Sequence, residues 1–514
     1  MRRVSIRNRA WLVASCFILA YAATPARAEL NLAETKKTVF SISPLVTTDV
    51  IILDNTVDLD SKKRDDRFQY LGLIYSLGFD IKGKDDGEPE IFLKLERYGP
   101  YYYDAPAIIN NTLQTFTGKI APYSGAEYLP ELDEFWMDIP LAPTSLRIKA
   151  GLFTYEVGHN IALGGNYENY AVSLYTETDD FQWHLYYAAP DYSNKNLLGP
   201  YIKQEKEQGN NWERSKSQFI ATDIIVPIKN AAFQPYAGIL FDRSEGKRLN
   251  LFTTPTHDDL LGTVGGSIVL TFFEKLSLGF EAARNFGQAT SSQEDFDNVV
   301  HQGYMFYADA SYDAGKLDPH IRGIYASGNK LTADMISNGD ATYTSNKNNA
   351  FSVYSPFNAY LADSIYQSID TLPLVAMGNG NGINYGIRRP GTFVDPIIIE
   401  NLILVNAGFD CALTKKAFVT FDWWYLSSAE NGIGVYNGVP KVISSDLGHE
   451  FDVYYSYDIT DNITFTTYAG IFCPGAAYRE ERTDEGGSLF TPFVRGDGKA
   501  DMAYQAEISL TVSY

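Results

Sequence analysis

Hydrophobic and polar residues alternate along most of this chain in short segments. The last segment is the clearest: from Asp501 to Tyr514 the even positions are apolar or aromatic, whereas the odd positions are almost all polar. A period of two places these two sets on opposite faces of a β-strand. Each such strand therefore has one apolar face and one polar face.

Eighteen segments follow this pattern, and short turns alternate with longer loops between them. Outer-membrane barrels separate short and long connections in this way, whereas a soluble β-sandwich has no reason to do so. The pattern predicts an all-β fold, a transmembrane antiparallel β-barrel of about 18 strands with a lower bound of about 16. The predicted strands are 38–47, 68–81, 90–98, 132–139, 145–155, 169–176, 181–189, 217–227, 231–243, 263–273, 275–285, 303–313, 317–327, 399–411, 417–427, 448–457, 462–472 and 500–514.

Aromatic residues recur at predicted outward positions near the strand ends. They are Tyr75, Trp183, Tyr187, Trp423, Tyr425, Tyr455 and Tyr457. Aromatic residues at the two interfaces of a bilayer are typical of such barrels, so we expect outer-membrane lipid as a partner. The chain also ends on Tyr514, which resembles the C-terminal signal that the outer-membrane insertion machinery reads.

The first 28 residues have the pattern of an export signal. Arg2, Arg3, Arg7 and Arg9 precede an apolar run at 10–23, and a small-x-small site ends at Ala28. A lipoprotein signal ending at Cys16 is the alternative. We expect a signal peptide at 1–28, a single transmembrane barrel domain at 29–514, and an integral location in the outer membrane of a Gram-negative cell.

Charge and composition exclude several classes of protein. The chain has 63 acidic and 42 basic residues, for a net charge of −21. A nucleic-acid partner requires a basic surface and is not expected. Aromatic residues make up 14% of the chain, which is too many for a disordered protein. No apolar stretch after residue 28 is long enough for a membrane-spanning helix.

Two stretches resemble the alginate-export family. The first is Gly448-His449-Glu450-Phe451-Asp452 followed by 470–478, and the second is 134–138 followed by 146–151. The resemblance implies an eighteen-stranded outer-membrane barrel that passes alginate, an acidic polysaccharide, outward through a basic constriction and has no enzymatic role. This chain departs from the family near Arg147, where the family has a denser arginine cluster.

Phasing the predicted strands places more acidic than basic residues on the inward face. The candidate pore-lining residues are Arg147, Lys149, Lys94, Arg322, Glu134, Asp138, Glu450, Asp452, Asp410 and Asp422. A net-acidic lumen repels polyanions, because low-dielectric walls focus the field along a pore. The acidic lumen therefore favours a neutral polysaccharide, a small hydrophilic solute or a cation over an acidic polysaccharide.

The same charged residues allow a purely structural interpretation. Arg147 and Lys149 could orient solutes at a constriction, or they could pair with Glu134 and Asp138 on the adjacent strand. Glu450 and Asp452 could line the pore, or they could pair with Arg322 and Lys149. A barrel that binds a periplasmic partner, without transport of its own, is the alternative function.

A long segment at 328–398 is the predicted gate. It combines Asn, Ser and Gly with aromatic residues such as Tyr354 and Tyr385, and a loop of this length inside a compact domain is usually functional. The alternative is an extracellular loop that packs over its neighbours.

No motif in the sequence indicates an enzyme. The six His residues form neither an HExxH motif nor part of a GxSxG elbow, and the nearest candidate is His320 beside Asp318. We expect no cofactor and no metal. Cys411 and Cys473 could form a disulfide in an oxidising compartment, or they could be two isolated apolar side chains.

Overall fold

A computed structural model gives the fold. It describes residues 30–34, 38–54, 68–84, 88–98, 101–109, 112–120, 131–141, 144–159, 161–178, 180–188, 218–242, 256–291, 298–330, 336–337, 340–341, 347–349, 351, 401–436, 439–480 and 500–513.

Eighteen strands within these residues form one antiparallel barrel. The first nine are β1 (Thr38–Asp54), β2 (Phe68–Gly83), β3 (Glu90–Tyr98), β4 (Glu131–Pro140), β5 (Leu146–Val157), β6 (Leu163–Glu177), β7 (Gln182–Ala188), β8 (Gln218–Ile228) and β9 (Ala231–Asp242). The other nine are β10 (Thr256–Phe272), β11 (Leu276–Ser291), β12 (Tyr304–Tyr312), β13 (Leu317–Ala326), β14 (Leu402–Ala412), β15 (Ala417–Ser427), β16 (Asp446–Thr460), β17 (Ile463–Pro474) and β18 (Ala503–Ser513).

The first and last strands of this set close the barrel. Leu45 of β1 pairs with Ser513 of β18, while the other edge of β1 pairs with β2 along its whole length. Every other barrel strand pairs with its two neighbours in sequence. The predicted fold is therefore confirmed, and each of the eighteen predicted segments corresponds to one barrel strand.

The described residues also include shorter elements outside the eighteen barrel strands. Leu30–Glu34 pairs with the start of β1, and Tyr101–Ile109 forms a hairpin with Thr112–Ile120. The remaining short strands are Val299–His301, Ile336–Ser337, Asp340–Ala341, Lys347–Asn348, Ile433–Tyr436 and Val439–Val442, and a single helical turn is Ala476–Arg479. No helix in the described part of the chain is long and apolar enough to cross a membrane.

The two ends of the barrel differ in their connections. At one end, the turn end, neighbouring strands follow each other closely, as at 229–230 and 461–462. At the other end, the loop end, most connections are longer. One loop-end connection differs from the prediction: β5 and β6 extend beyond their predicted ends, so only residues 158–162 join them, where the sequence predicted a loop at 156–168.

The inner and outer faces alternate as the sequence predicts. In β18, Tyr504 and Ile508 are exposed on the outer face, whereas Gln505 and Glu507 are buried on the inner face. The outer face carries large exposed apolar side chains on most strands. Two of the predicted outward aromatics, Tyr187 and Tyr457, are among them.

A buried apolar layer lies in the interior near the loop end. Inward side chains there form one buried cluster together with the short β5–β6 connection. Its large members include Phe153, Tyr186, Phe219, Tyr236, Leu240, Met305, Tyr307, Phe351, Leu402, Trp424, Phe472 and Tyr478. The sequence phasing missed this layer. Runs such as Leu402-Ile403-Leu404-Val405 are apolar on both faces, which indicates a strand that is covered on both sides.

Candidate functional site

Below the apolar layer, the wall formed by β13–β16 carries a buried group of carboxylates. Asp422 of β15 accepts hydrogen bonds from Asn406 Nδ2 at 2.6 Å and pairs with His320 Nε2 at 2.8 Å. His320 Nδ1 lies 3.5 Å from Asp410 Oδ2, and Thr420 Oγ1 donates to Asp410 at 2.6 Å. One imidazole therefore lies between two carboxylates on neighbouring strands.

Gly408 leaves room for this arrangement. It lies on the inner face of β14, directly across from Asp422 on β15. A Cβ atom at this position would lie 2.6 Å from His320 Nε2 and would also meet the carboxylate of Asp422. The absence of a side chain thus lets His320 reach Asp422 across the intervening strand.

Glu450 and Asp452 of β16 complete this wall. Both are buried on the inner face, where Asp452 pairs in register with Asp422 and Glu450 with Trp424. Arg322 of β13 lies in register with Asp309 on β12 and Asn406 on β14. Arg322, the predicted basic residue of this wall, therefore lies beside Asp309.

The wall formed by β3–β5 carries the other predicted bases. Arg147 Nε pairs with Asp138 Oδ1 at 3.0 Å and donates to Tyr175 Oη at 3.1 Å, while its Nη2 donates to the backbone oxygen of Glu88 at 3.1 Å. Tyr175 also donates to Asp138. Arg147 therefore ties three segments together near the turn end, as the structural alternative for this residue proposes.

Lys149 makes a different kind of contact. Its Nζ lies 3.9 Å from the ring centroid of Trp136 and 4.9 Å from that of Phe153. Trp136 Nε1 in turn donates to Glu134 Oε1 at 2.7 Å. Cation–π contacts hold an ammonium group without neutralising its charge. Lys149 therefore brings a positive potential to this wall.

Lys94, the remaining predicted base, forms an ion pair on its own strand. Its Nζ lies 2.7 Å from Glu96 Oε2, and it is in register with Glu134 on β4. The three bases of β3–β5 therefore share their wall with the carboxylates of Glu96, Glu134 and Asp138, whereas carboxylates predominate on β13–β16.

The β5–β6 hairpin extends into the lumen and reaches the opposite wall. The side chains of Val157, Ile161 and Leu163 at its end are fully buried in the apolar layer. The backbone N–H of His159 donates to Glu281 Oε2 on β11 at 2.6 Å, and His159 Nδ1 lies 3.1 Å from the same oxygen. The hairpin therefore narrows the lumen, and its tip is held by a buried carboxylate.

Several residues on the opposite wall shape this contact. Tyr236 Oη donates to Glu281 Oε1 at 2.5 Å, and the ring centroids of His159 and Tyr307 are 4.9 Å apart. Gly158 has a φ of +64°, a left-handed conformation that favours glycine. A Cβ at Gly158 would lie 2.9 Å from Glu281 Oε2, so glycine also allows the close approach.

The sequence analysis did not identify His159 or Tyr236 as site residues. One signal could have revealed the hairpin tip: residues 161–163 read Ile-Ala-Leu, an apolar run within the predicted loop at 156–168. An apolar run in a connection indicates that the connection is buried.

Two further histidines pair with inward carboxylates that the sequence analysis missed. His184 Nδ1 lies 3.2 Å from Asp223 Oδ2, and Gln234 Nε2 donates to the same oxygen at 2.9 Å. His301 Nε2 lies 2.9 Å from Asp259 Oδ1. Asp259 was missed because β10 begins at Thr256, seven residues before the predicted start of that strand at 263.

The predicted gate at 328–398 falls largely outside the described residues. Within its described part, Phe351 is fully buried in the apolar layer. The backbone oxygen of Asn349 accepts a hydrogen bond from Ser327 Oγ at 2.6 Å. These contacts anchor the start of the segment to the barrel wall. The role of the segment as a gate stays a prediction.

The described residues form neither a disulfide between the two cysteines nor a metal site. Cys411 and Cys473 are both free thiols. Among the residues that the structure describes, no group of three or more His, Cys, Asp and Glu side chains could hold a metal ion.

Comparisons with known proteins return outer-membrane barrels among solved structures. No protein-family profile matches the chain, and no curated protein matches it either. Acinetobacter baumannii OccAB1 is similar at 9% identity, with 92% of this chain and 96% of that chain covered and a TM-score of 0.48. Pseudomonas aeruginosa OccK11 (OpdR) is similar at 10% identity, covering 92% and 95%, with a TM-score of 0.46.

A third structure, the outer membrane protein opdK from Pseudomonas aeruginosa, has 8% identity, covers 92% and 98%, and gives a TM-score of 0.46. None of the three reaches 0.5, so the barrel assignment rests on the strand pairing described above. The resemblance to the alginate-export family gains no support from these comparisons.

Proposed function

We propose that this chain is an outer-membrane channel that passes small hydrophilic solutes passively and prefers cations or neutral molecules to anions. The observation that carries the proposal is a closed barrel with an apolar outer face and a charged inner face. A membrane-spanning barrel needs that distribution, because its outer face meets lipid and its inner face meets water.

The outer face supports a membrane location. Val264 and Phe306 are 51% and 54% exposed, and large apolar side chains are exposed on most of the barrel strands. Soluble monomers rarely expose contiguous apolar surfaces of this extent. The predicted aromatic residues near the strand ends fit the same location.

The inner face supports the solute class. Carboxylates of Asp410, Asp422 and Asp452 line one wall, whereas Arg147 is paired with Asp138 on the other. A net-negative lumen attracts cations and repels anions. The inserted hairpin and the buried side chains around it favour a small solute over a polysaccharide.

The test is single-channel recording on the purified protein in a planar bilayer, with a KCl gradient across it. We expect small conductance steps and a reversal potential of the sign that selective passage of K⁺ produces. An anion-selective current would contradict the proposed solute class. Absence of any current, with correct folding shown by circular dichroism, would contradict the channel itself.

The packed interior favours a second candidate. Ile161, Leu163 and Phe351 have no exposed surface, so the apolar layer around them is tightly packed. A barrel whose lumen is closed by such packing could hold or present a partner without conducting. The same recording separates the two candidates, because only the channel produces current.

A further inference from the structure

The tip of the β5–β6 hairpin fills a pocket in the opposite wall of the lumen. Glu281 lies at the base of this pocket with its side chain fully buried, and Asp309, Tyr236 and Tyr307 surround it. These four residues form what we call the Glu281 pocket. The side chain of His159 occupies it.

His159 is bound there as a small planar ligand would be. Its Nδ1 lies 3.1 Å from Glu281 Oε2, its Nε2 lies 3.9 Å from Asp309 Oδ1, and its ring lies against that of Tyr307. Two carboxylates beside an aromatic ring can bind a planar cation through charge-assisted hydrogen bonds and through the ring face. The pocket therefore has the chemistry of a cation-binding site.

The space in the pocket depends on two glycines. A Cβ at Gly279 would lie 2.9 Å from His159 Nε2, and a Cβ at Gly158 would lie 2.9 Å from Glu281 Oε2. The ring of His159 is therefore what fills the volume between the two walls. Removing only that ring would empty the pocket and leave the Tyr236 hydrogen bond to Glu281 in place.

The charges around the pocket favour a single positive group. Glu281 and Asp309 contribute two carboxylates, and Arg322, the cross-strand neighbour of Asp309, contributes one positive charge. Without the imidazole, Glu281 keeps the Tyr236 hydroxyl and the backbone N–H of residue 159 as donors, and a cationic group in the emptied space would offset the cost of its buried charge.

We propose that the Glu281 pocket is a binding site for a planar cationic group of the imidazolium or guanidinium class, and that His159 is an internal ligand which such a group displaces. The inference rests on the proposed function only in that solutes reach the pocket through the lumen. Because the hairpin holds His159 beside the pocket at a high effective concentration, the wild-type protein binds an external ligand more weakly than a protein without this ring.

The test is isothermal titration calorimetry of the full-length refolded protein with imidazole, and separately with guanidinium chloride. We expect His159→Ala to bind imidazole saturably and about tenfold more tightly than the wild type, since the competing ring is gone. His159→Ala combined with Glu281→Gln is expected to lose this binding. His159→Ser provides a second emptied pocket if the alanine variant does not refold.

His184→Ala is the matched control. The side chains of His184 and His159 are both 13% exposed, and each lies close to a buried carboxylate. The second carboxylate near His184, that of Glu177, is nevertheless 58% exposed, whereas that of Asp309 near His159 is 20% exposed, so removing His184 leaves a site open to solvent. We therefore expect no tighter binding of imidazole in His184→Ala than in the wild type.

Three results would overturn the site. They are no saturable binding to either emptied pocket, equal affinity in the Glu281→Gln double variant, or equal binding by His184→Ala. Recording the same proteins in bilayers separates this inference from the channel. Binding without current would support the site and contradict the channel, whereas current without binding would contradict the site alone.

Discussion

Asp422 lies directly opposite Asp452 on the neighbouring strand, and both carboxylates are buried inside the barrel. Like charges at facing positions repel each other, and burial strengthens the repulsion because the interior dielectric is low. His320 and Asn406 offset it by contacts to Asp422 Oδ1 at 2.8 and 2.6 Å. The stability of this wall therefore depends on the groups that bind Asp422.

Removing the imidazole of His320 should destabilise the barrel. We expect His320→Ala to lower the free energy of unfolding by about 3–5 kcal/mol, because it breaks a buried charged pair from one side. Adding Asp452→Asn should restore part of this loss, since one of the two facing charges disappears. The measurement is urea unfolding in detergent micelles, followed by tryptophan fluorescence.

His449→Ala is the control for this experiment. His449 is exposed on the outer face and stacks on Trp423 with ring centroids 5.7 Å apart. Loss of one aromatic contact should cost about 0.5–1.5 kcal/mol. An equal loss of stability in His320→Ala and His449→Ala would show that the buried pair of His320 and Asp422 contributes no more to the free energy of unfolding than one exposed aromatic contact.

Arg147 and Lys149 should respond differently to substitution. We expect Arg147→Ala to lower the unfolding free energy by about 1.5–3 kcal/mol, because hydrogen bonds to a charged group are lost, and to change ion selectivity little. Lys149→Ala should instead increase the K⁺ over Cl⁻ permeability ratio by a factor on the order of two, since one incompletely screened positive charge leaves the lumen.

The two variants are each other's control, measured by urea unfolding and by reversal potential in a salt gradient. Arg147 is bound to Asp138 at 3.0 Å, whereas the ammonium of Lys149 lies over Trp136. The opposite outcome, with Arg147 controlling selectivity and Lys149 controlling stability, would reverse the roles that these contacts assign.

The tip of the hairpin should be sensitive to a single methyl group at Gly158. We expect Gly158→Ala to loosen the contact with Glu281 and to raise conductance, because the new Cβ would lie 2.9 Å from Glu281 Oε2. A left-handed residue other than glycine also costs about 1–2 kcal/mol by itself. The free energy of unfolding and the single-channel conductance are both measured for this variant.

Gly315→Ala separates the backbone cost from the loss of docking. Gly315 has a φ of +96° in an exposed turn, and a Cβ there would meet nothing within 4 Å. Its substitution should therefore cost stability without changing conductance. Equal conductance in Gly158→Ala and the wild type would show that the tip does not limit the current.

The sequence predicted the barrel well because strand periodicity is a local signal. Burial in β18 alternates in phase with the pattern read from Asp501 to Tyr514, and the closing pair of Leu45 with Ser513 follows from an even number of strands. Ends of strands were less well predicted. The predicted start at 263 missed the first seven residues of β10, and with them Asp259.

Contacts across the lumen could not be predicted in this way. The contact between His159 and Glu281 joins positions 122 apart in sequence, and no periodic pattern relates them. Whether Arg147 binds Asp138 or remains available likewise depends on side-chain rotamers and strand register rather than on residue type. The sequence narrowed that question to two alternatives, and the ion pair at 3.0 Å favours the structural one.

The membrane location predicts a strong dependence of stability on the depth of an introduced charge. Val264 lies midway along β10 and Leu413 lies in the turn after β14, and the two are 51% and 53% exposed. In a lipid bilayer, Val264→Arg should cost about 2–4 kcal/mol and Leu413→Arg about 0–1 kcal/mol, since only the first places a charge in hydrocarbon.

The measurement is urea unfolding of both variants in lipid vesicles. Because the two positions have nearly the same exposure in the folded protein, a difference between them reports the surrounding medium rather than lost packing. A barrel surrounded by water would tolerate arginine equally at both positions, because its outer face would already be hydrated. Equal stability of the two variants would therefore contradict the membrane location, and with it the proposed channel.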